Sequence, residues 1–154
     1  MGITVVRARP ADLPQASAIV DEYCDAIGVV VRDTTLLPYF EAGSGLWVAR
    51  EDGDAVGCIA LRPLPAIEDA CEVKRLYVRP AQRGRGIADL LLAALHEYAA
   101  ASGYTTAYLD TKDDLLVAIL FYENRGYVRC ARYNDNPQAT VFMRRDLPSA
   151  PKAL

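Results

Sequence analysis

The sequence predicts an α/β domain built on a mixed sheet, and three observations support this prediction. Short runs rich in β-branched residues alternate with segments whose apolar residues recur at helical spacing. The turn Glu51-Asp52-Gly53-Asp54 separates two apolar runs and is typical of a β-hairpin. A glycine-rich turn in the middle of the chain joins a strand to a long amphipathic helix. The predicted order of elements is β-α-(α)-β-β-β-α-β-α-β-β.

The first half of the chain is expected to form a strand, one or two helices and a hairpin. Residues 3–9 are rich in β-branched side chains and predict the first strand. Asp12 is a suitable helix N-cap, and Gly28 ends the segment of helical spacing that follows it. A second, short helix is expected over residues 34–41. The hairpin strands are predicted over residues 46–50 and 55–61.

The second half of the chain is expected to alternate between strands and helices. Pro80 ends a run with the composition of a strand, while Gly103 and Gly126 each follow a segment of helical spacing and act as helix stops. The predicted elements are, in order, strand 71–78, helix 84–102, strand 104–109, a helix that begins after a cap at Asp113 or Asp114, and a closing pair of strands over 127–132 and 140–144.

Length and composition are those of one globular domain. The chain has 154 residues, of which 52% are hydrophobic and 24% charged, enough to bury a core. The domain is expected over residues 1–147, followed by a loose tail over 148–154. No stretch approaches the length of a membrane helix, and the N-terminus lacks the pattern of a secretory signal. A cytoplasmic protein without a membrane partner is therefore expected.

The distribution of charge indicates a local anionic ligand. The net charge of −3 is unfavourable for general nucleic-acid binding. One short stretch nevertheless holds five basic residues and no acidic one. Taken alone, this stretch is either a ligand site or a solvated turn. The five basic residues are Lys74, Arg75, Arg79, Arg83 and Arg85.

The cysteines do not form a metal-binding pattern. Cys24, Cys58, Cys71 and Cys130 include no C-x-x-C pair, and His96 is the one histidine of the chain. We expect buried thiols in a reducing compartment, no metal, and a surface position for His96.

The glycine-rich turn has the properties of a diphosphate site. The first amides of a helix lack partners within it, and the helix dipole adds partial positive charge there. Gly84 and Gly86 remove side chains that would keep an anion away, while Arg83 and Arg85 add full charges. Neither a P-loop nor a complete Rossmann fingerprint is present. By itself the turn is compatible with a phosphate site or with a tight strand-to-helix connection.

Four segments together resemble the GNAT superfamily of N-acetyltransferases. The run Arg83-Gly-Arg-Gly86-Ile-Ala88 resembles its R/Q-x-x-G-x-G/A signature, and residues 118–127 resemble its A-x-x-F/L-Y-E-x-x-G-F segment. Residues 72–80 are similar to its fourth strand. Tyr133-Asn-Asp-Asn-Pro137, followed by residues 141–143, resembles a bacterial subgroup with no single assigned substrate.

This resemblance implies a fold, a co-substrate and a set of binding residues. The implied fold is the GNAT acyl-CoA N-acyltransferase fold, a mixed and mostly antiparallel sheet of about seven strands, flanked by about four helices, with splayed central parallel strands. The implied co-substrate is acetyl-CoA, with no metal. Backbone groups of the fourth strand would bind pantetheine, and amides of the turn would bind pyrophosphate. The implied cofactor-binding residues are Leu76, Tyr77, Val78, Arg83, Gly84, Arg85, Gly86, Ile87, Ala88 and Phe121.

Two residues are candidates for proton transfer, which transfer to an amine requires. Tyr122 matches the family tyrosine and is the candidate general acid; alternatively it is a packed aromatic with a bonded hydroxyl. Glu72 is the candidate base, acting directly or through a water, because it precedes Leu76 by four residues and is expected on the same strand face. Alternatively, Glu72 forms an ion pair with Lys74 or Arg144, and a chain of ordered waters acts as the base instead.

The acceptor is expected to be a primary amine of a small molecule, amino acid or peptide. The alternatives are a regulatory module that binds acetyl-CoA without turnover, and an interaction protein. A homodimer through the C-terminal strands is also compatible with the sequence. Residues that would bind a cationic amine are Asp33, Tyr39, Glu41, Tyr133 and Asn134.

Overall fold

The computed structural model describes residues 2–28 and 36–148 as a seven-stranded sheet with helices on both faces. Three α-helices and three short 3-10 helices lie within the described ranges. The strands are β1 (Ile3–Arg7), β2 (Gly45–Glu51), β3 (Asp54–Pro63), β4 (Ala70–Val78), β5 (Thr106–Thr111), β6 (Val128–Arg129) and β7 (Val141–Asp146). The α-helices are α1 (Leu13–Ile27), α2 (Ile87–Ala101) and α3 (Leu116–Glu123); the 3-10 helices are Pro10–Asp12, Leu37–Phe40 and Pro80–Gln82.

The sheet has the spatial order β1-β2-β3-β4-β5-β7-β6. Every neighbouring pair is antiparallel except β4 and β5, which are parallel. The predicted mixed, mostly antiparallel sheet with central parallel strands is therefore confirmed. Parallel strands require a crossover, and α2 supplies it.

Two apolar clusters fill the space between the sheet and its helices. Ile87, Leu91 and Leu95 of α2 are buried against one face, as their helical spacing predicts. Ile19 and Val20 of α1 are buried in the cluster on the other face. Burying each side chain of this size contributes about 2 kcal/mol. The two clusters thus hold α1 and α2 on opposite sides of β4.

Several predicted boundaries are wrong for identifiable reasons. The helix expected from residue 84 begins at Ile87, because Gly84 and Gly86 have positive φ angles of 80° and 78° that a right-handed helix does not contain. The N-cap of α3 is Leu115, not Asp113 or Asp114. The backbone amide of Asp113 instead donates to Thr140 Oγ1.

The first strand of the closing pair is shorter than predicted, whereas the second extends to Asp146. Of the residues predicted for the first strand, Val128 and Arg129 pair with β7, and the Cys130 N–H donates to the Phe142 carbonyl. The chain then forms a loop that Arg132 holds in place, since its guanidinium donates to the carbonyl oxygens of Asn134, Asn136 and Ala139. The homodimer expected through these strands stays a prediction.

The second predicted helix falls partly outside the described residues. Its last turn is the 3-10 helix Leu37–Phe40, while Thr34 and Thr35 are not among the described residues. Most of the predicted tail, residues 149–154, likewise lies outside them. None of the described helices has the length and apolar content needed to cross a bilayer.

Candidate active site

A cleft opens where β4 and β5 part. The two strands pair at only three positions, the last of which joins Glu72 to Tyr108. Beyond it β4 continues to Val78 and β5 to Thr111 without pairing to each other. The resulting cavity has a volume of about 910 Å³ and is lined by β4, the turn after it, α3 and the C-terminal end of α1. The predicted splay of the central strands is therefore present.

The turn after β4 presents a run of free backbone donors to this cleft. Arg83 N–H donates to Pro80, and Leu90 N–H donates to Gly86. Between them, the amides from Gly84 to Asp89 have no acceptor in residues 2–28 and 36–148. Free amides at a helix N-terminus, reinforced by the helix dipole, are suited to an anion.

The two glycines of the turn keep space open in front of these amides. A Cβ built on Gly84 or Gly86 would meet no atom within 4 Å, so both positions face open space. Their φ angles of 80° and 78° lie in the region that glycine adopts without strain. The residues present therefore fit a diphosphate group approached from the cleft.

The two arginines of the turn have different environments. Arg83 lines the cleft, and its Nε donates to the carbonyl oxygen of Val78 at 2.9 Å. The guanidinium of Arg85 instead forms a bidentate ion pair with the carboxylate of Glu51 at the end of β2. This hydrogen-bonded pair raises the pKa of Arg85 and lowers that of Glu51. Only the Arg83 side chain is among those lining the cleft.

A bulge in β4 changes which side chains share a face. The register passes from Cys58–Tyr77 to Ala60–Lys74, so that Arg75 and Leu76 both lie opposite Ile59. Arg75 has a φ of 59°.

The bulge separates Glu72 from Leu76. Leu76 packs with the apolar cluster that contains Val73 and Val78, whereas Tyr77 is buried in the opposite cluster. Glu72 precedes Val73 and points to the other face. The expectation that Glu72 and Leu76 share a face is therefore wrong, because it assumed an unbroken strand.

Tyr77 is fixed by its side chain as well as by its strand. Its ring lies 5.7 Å from that of Tyr23, and its hydroxyl donates to Glu22 Oε2 at 2.7 Å. Tyr77 can therefore offer the cleft its backbone but not its hydroxyl.

Tyr122 lines the cleft from α3 and is nine-tenths buried, with 7% of its surface exposed. Its ring makes edge contacts with Phe121 at 5.5 Å and Tyr127 at 5.4 Å. In the described part of the chain its hydroxyl has no hydrogen-bond partner. Burial raises its pKa well above the ordinary value of 10.0, so the phenol stays protonated. Phe121 also lines the cleft and carries the guanidinium of Arg125 over its ring at 3.6 Å.

Glu72 is fully buried, with both carboxylate oxygens engaged. Oε1 accepts from Arg62 Nε at 2.7 Å. Oε2 accepts from the hydroxyl of Tyr133 at 2.6 Å and from the amide of Asn134 at 3.1 Å, and Lys74 Nζ lies 3.6 Å away. Of the two alternative partners expected for Glu72, Lys74 is present, while Arg144 is exposed.

A second buried carboxylate continues this network into the cleft. Asp110, at the end of β5, accepts from Lys74 Nζ at 3.1 Å, from Asn134 Nδ2 at 2.7 Å and from Asn136 Nδ2 at 3.2 Å. Burial opposes ionisation of Asp110, but Lys74 and the two amides outweigh it and lower its pKa. Lys74 and Asp110 both line the cleft, so their ion pair links the strands where they separate.

Sequence reasoning identified only part of this network. It did not identify Arg62, Asp110 or Asn136 as site residues. A signal was present, because Arg62, Glu72 and Lys74 are charged residues within strands that are mostly apolar. Charges at such positions are rarely buried unless they are paired.

The residues expected to bind a cationic amine are dispersed. Tyr133 and Asn134 bind Glu72, and Tyr39 is buried. Glu41 is exposed at the end of its 3-10 helix, and Asp33 lies outside the described residues.

His96 is not a surface residue, contrary to expectation. It is half-buried between the Tyr127 hydroxyl, 2.7 Å from Nε2, and Arg145, 3.1 Å from Nδ1. Burial, and then the positive charge of Arg145, lowers its pKa to about 4.

All four cysteines are free thiols. Among the described residues no group of three or more His, Cys, Asp or Glu side chains is arranged to hold a metal ion.

Comparison with known proteins gives a consistent result. The sequence model of the Acetyltransferase (GNAT) family matches residues 16–127. A relative from Schizosaccharomyces pombe, named as an uncharacterized N-acetyltransferase, is 34% identical over 148 residues, covering 90% of each chain.

Solved structures share the fold. An acetyltransferase of the GNAT family from Staphylococcus aureus superposes with a TM-score of 0.85 at 19% identity, over 96% of this chain and 100% of that one. An N-acetyltransferase of Thermoplasma acidophilum in complex with coenzyme A superposes with a TM-score of 0.78 at 18% identity, over 95% and 99% of the two chains.

Proposed function

This chain belongs to the GNAT acetyltransferase family, and on that premise we propose that it transfers the acetyl group of acetyl-CoA to the primary amine of a small molecule, amino acid or peptide. One observation carries the proposal. The unpaired amides from Gly84 to Asp89 lie beside a strand that has parted from its neighbour. The free amides of the turn suit a diphosphate, and the unpaired edge of the strand that precedes them suits an extended arm that carries amides.

The cofactor-binding roles follow from this arrangement. The amides of Gly84, Arg85, Gly86, Ile87 and Ala88 would hold the pyrophosphate. The backbone of Leu76, Tyr77 and Val78 would pair with the amides of the pantetheine arm, in the manner of an added strand. Arg83 would add charge from the cleft wall, and Phe121 an apolar surface. Arg85 would contribute its amide alone, because its guanidinium is bound to Glu51.

When bound, acetyl-CoA supplies the thioester whose carbonyl carbon the amine attacks, with release of the coenzyme A thiol. Tyr122 would donate its phenolic proton to the departing sulfur. Its position at the cleft wall, a hydroxyl without a partner in the described ranges, and a raised pKa support this role. A proton lost by the amine restores the phenol, so no net proton is gained or lost by Tyr122.

Glu72 remains the predicted base, but its contacts support a positioning role better. A carboxylate that accepts from Arg62, Tyr133 and Asn134 has little capacity left for a substrate proton. We propose that Glu72 holds Lys74 and Asn134, which in turn hold Asp110 at the cleft. The base would then be a water in the cleft.

We also propose that the protein acts in the cytoplasm. The support for this location is that all four cysteines are free thiols, a state that a reducing compartment maintains. Burial raises the pKa of Cys58 and Cys71 to about 12, so these thiols are unreactive core residues.

The test is thiol release from acetyl-CoA in the presence of a panel of amines, amino acids and peptides, with product mass confirming the acetylated acceptor. We expect at least one acceptor to release thiol above the rate of spontaneous hydrolysis. Coenzyme A affinity is measured in parallel by calorimetry. Tight binding without turnover of any acceptor would replace the enzyme by a regulatory module that binds acetyl-CoA.

A further inference from the structure

The acceptor side of the cleft holds a cation that lacks a counter-ion in the described ranges. Among the described residues, five cationic side chains line the cleft. Lys74 and Arg125 are paired with Asp110 and Asp89, and Lys112 donates to the last carbonyl of α1. The other two are Arg83, which belongs to the anion-binding turn, and Arg75.

The described groups that contact the Arg75 guanidinium are neutral. Its Nη1 lies 3.6 Å from Cys24 Sγ, and its guanidinium lies 6.0 Å from the centre of the Tyr39 ring and donates to the Tyr39 hydroxyl. Its Nε is buried without an acceptor in the described part of the chain. A buried N–H without an acceptor is costly, and more so on a charged group.

The neighbouring residues that can ionise do not become the counter-ion. Burial raises the pKa of Cys24, in spite of the adjacent arginine, and raises those of Cys58 and Tyr23 to about 12. All three groups are therefore neutral at neutral pH. The positive charge of Arg75 remains uncompensated by them.

The backbone around Arg75 directs this charge to the side of the sheet opposite the anion-binding turn. Arg75 contacts Cys24 of α1, whereas the turn begins α2 on the other face. Its φ of 59° lies in the left-handed region, which is unfavourable for a residue with a Cβ. Arg75 shares the bulge with Leu76, where the proposed pantetheine contacts begin.

Resting on the proposed function, we propose that the acceptor is an amine that also carries a carboxylate, and that Arg75 binds this carboxylate. The planar guanidinium forms paired hydrogen bonds with a carboxylate, and Arg75 lines the cleft with only uncharged hydrogen-bond partners in the described ranges. A carboxylate held there leaves the nearby amine beside the strand edge of β4. An α-amino acid fits this chemistry, and an internal peptide amine does not.

The test compares free L-amino acids with their primary amides as acceptors. The amide has the lower amine pKa and carries more free amine at neutral pH, so a preference for the acid runs against intrinsic reactivity. We expect kcat/KM for the best acid to exceed that of its amide by about 10-fold or more. Equal use of acid and amide by the wild-type enzyme would overturn the inference and leave the proposed function intact.

Variants then assign the preference to Arg75. Arg75→Asn removes the guanidinium, and asparagine tolerates a positive φ. It should lower kcat/KM for the acid by about 100-fold and for the amide by less than about 3-fold, with coenzyme A affinity unchanged. Arg75→Lys keeps the charge but loses the planar guanidinium. Its kcat/KM for the acid should lie between those of the wild type and Arg75→Asn. An equal loss for acid and amide in Arg75→Asn would overturn the assignment.

Two further measurements separate the possible failures. Arg50→Gln is the matched control, because Arg50 pairs with Asp12 and Gln15 outside the cleft and should keep the acid preference. Calorimetry with the acid and coenzyme A-loaded protein measures binding apart from turnover. Arg75-dependent binding without turnover would support the carboxylate site while refuting the proposed transfer.

Discussion

The two sides of the cleft are built in different ways. The cofactor side consists of backbone amides from one continuous segment, Gly84 to Asp89, at the start of α2. The opposite side presents the side chains of Lys74 and Asp110, which contacts with residues from distant positions, such as Glu72 and Asn134, hold in place. The first depends on local conformation, and the second on the whole sheet.

This difference determines how each side fails. A backbone site tolerates changes of side chain except where the φ angle or open space requires glycine. A buried ionic network tolerates little, because removing one member leaves its partners charged and without compensation. Mutations should therefore affect binding on the first side and mainly stability and turnover on the second.

The largest effect is expected for Gly86→Glu. The new side chain would place bulk and negative charge in front of the free amides, at a position with a φ of 78°. Several charge-assisted hydrogen bonds would be lost, which predicts about 1000-fold weaker coenzyme A binding by calorimetry. Unchanged affinity would refute the location of the diphosphate site.

Gly103→Glu is the matched control for this change. Gly103 follows the other end of α2, has a φ of 92°, and likewise has no atom within 4 Å of an added Cβ. It imposes the same strain and the same charge away from the cleft. Coenzyme A affinity should remain near that of the wild type, even though stability falls.

The next largest effect is expected for Tyr122→Phe. Loss of the proton donor should lower kcat by about 10- to 1000-fold, with coenzyme A affinity unchanged. Because burial raises the Tyr122 pKa above 10.0, the wild-type kcat should show no fall from phenol ionisation below that pH. Tyr127→Phe is the control, since it removes a buried hydroxyl that is hydrogen-bonded to His96. It should leave kcat unchanged and lower the free energy of unfolding by about 1 kcal/mol. Wild-type turnover in Tyr122→Phe would remove Tyr122 from its role.

Glu72→Gln distinguishes a base from a positioning residue. If Glu72 only positions Lys74 and Asn134, kcat should fall by about 10-fold at every pH. Stability should fall by about 1 kcal/mol, because water screens the half-exposed Arg62 when it loses its counter-ion. If Glu72 is the base, the loss should be concentrated below the pKa of the amine. The pH profile of kcat/KM, with denaturant unfolding, separates the two outcomes.

The same contrast explains what the sequence could predict. The diphosphate turn is readable because glycines, basic residues and a helix start are neighbours in the chain. The order of strands and the stripe of α2 are likewise local patterns of period two and 3.6. The strands, the helices and the position of the turn were therefore predictable from local patterns, whereas the splay was predicted from the resemblance to the GNAT superfamily.

The other side of the cleft depends on register and bulges, which neighbouring residues do not reveal. The two residues of β4 opposite Ile59 reverse the face expected for Leu76 and set Arg75 into the cleft. The link between Glu72 and Tyr133 spans 61 positions and requires the loop that Arg132 holds. A single sequence contains no local signal for either.

The smallest effect is expected from a pair of arginine substitutions that tests the cofactor side alone. Arg83→Ala removes a cation from the cleft wall and should weaken coenzyme A binding by about 10-fold. Arg85→Ala removes a guanidinium that is already bound to Glu51, so it should weaken coenzyme A binding by less than about 3-fold. Calorimetry at two salt concentrations measures both, because only the Arg83 contribution should decrease with added salt. A larger loss for Arg85→Ala than for Arg83→Ala would mean that the side chains of the turn exchange roles on binding, and that backbone amides alone do not define the cofactor side.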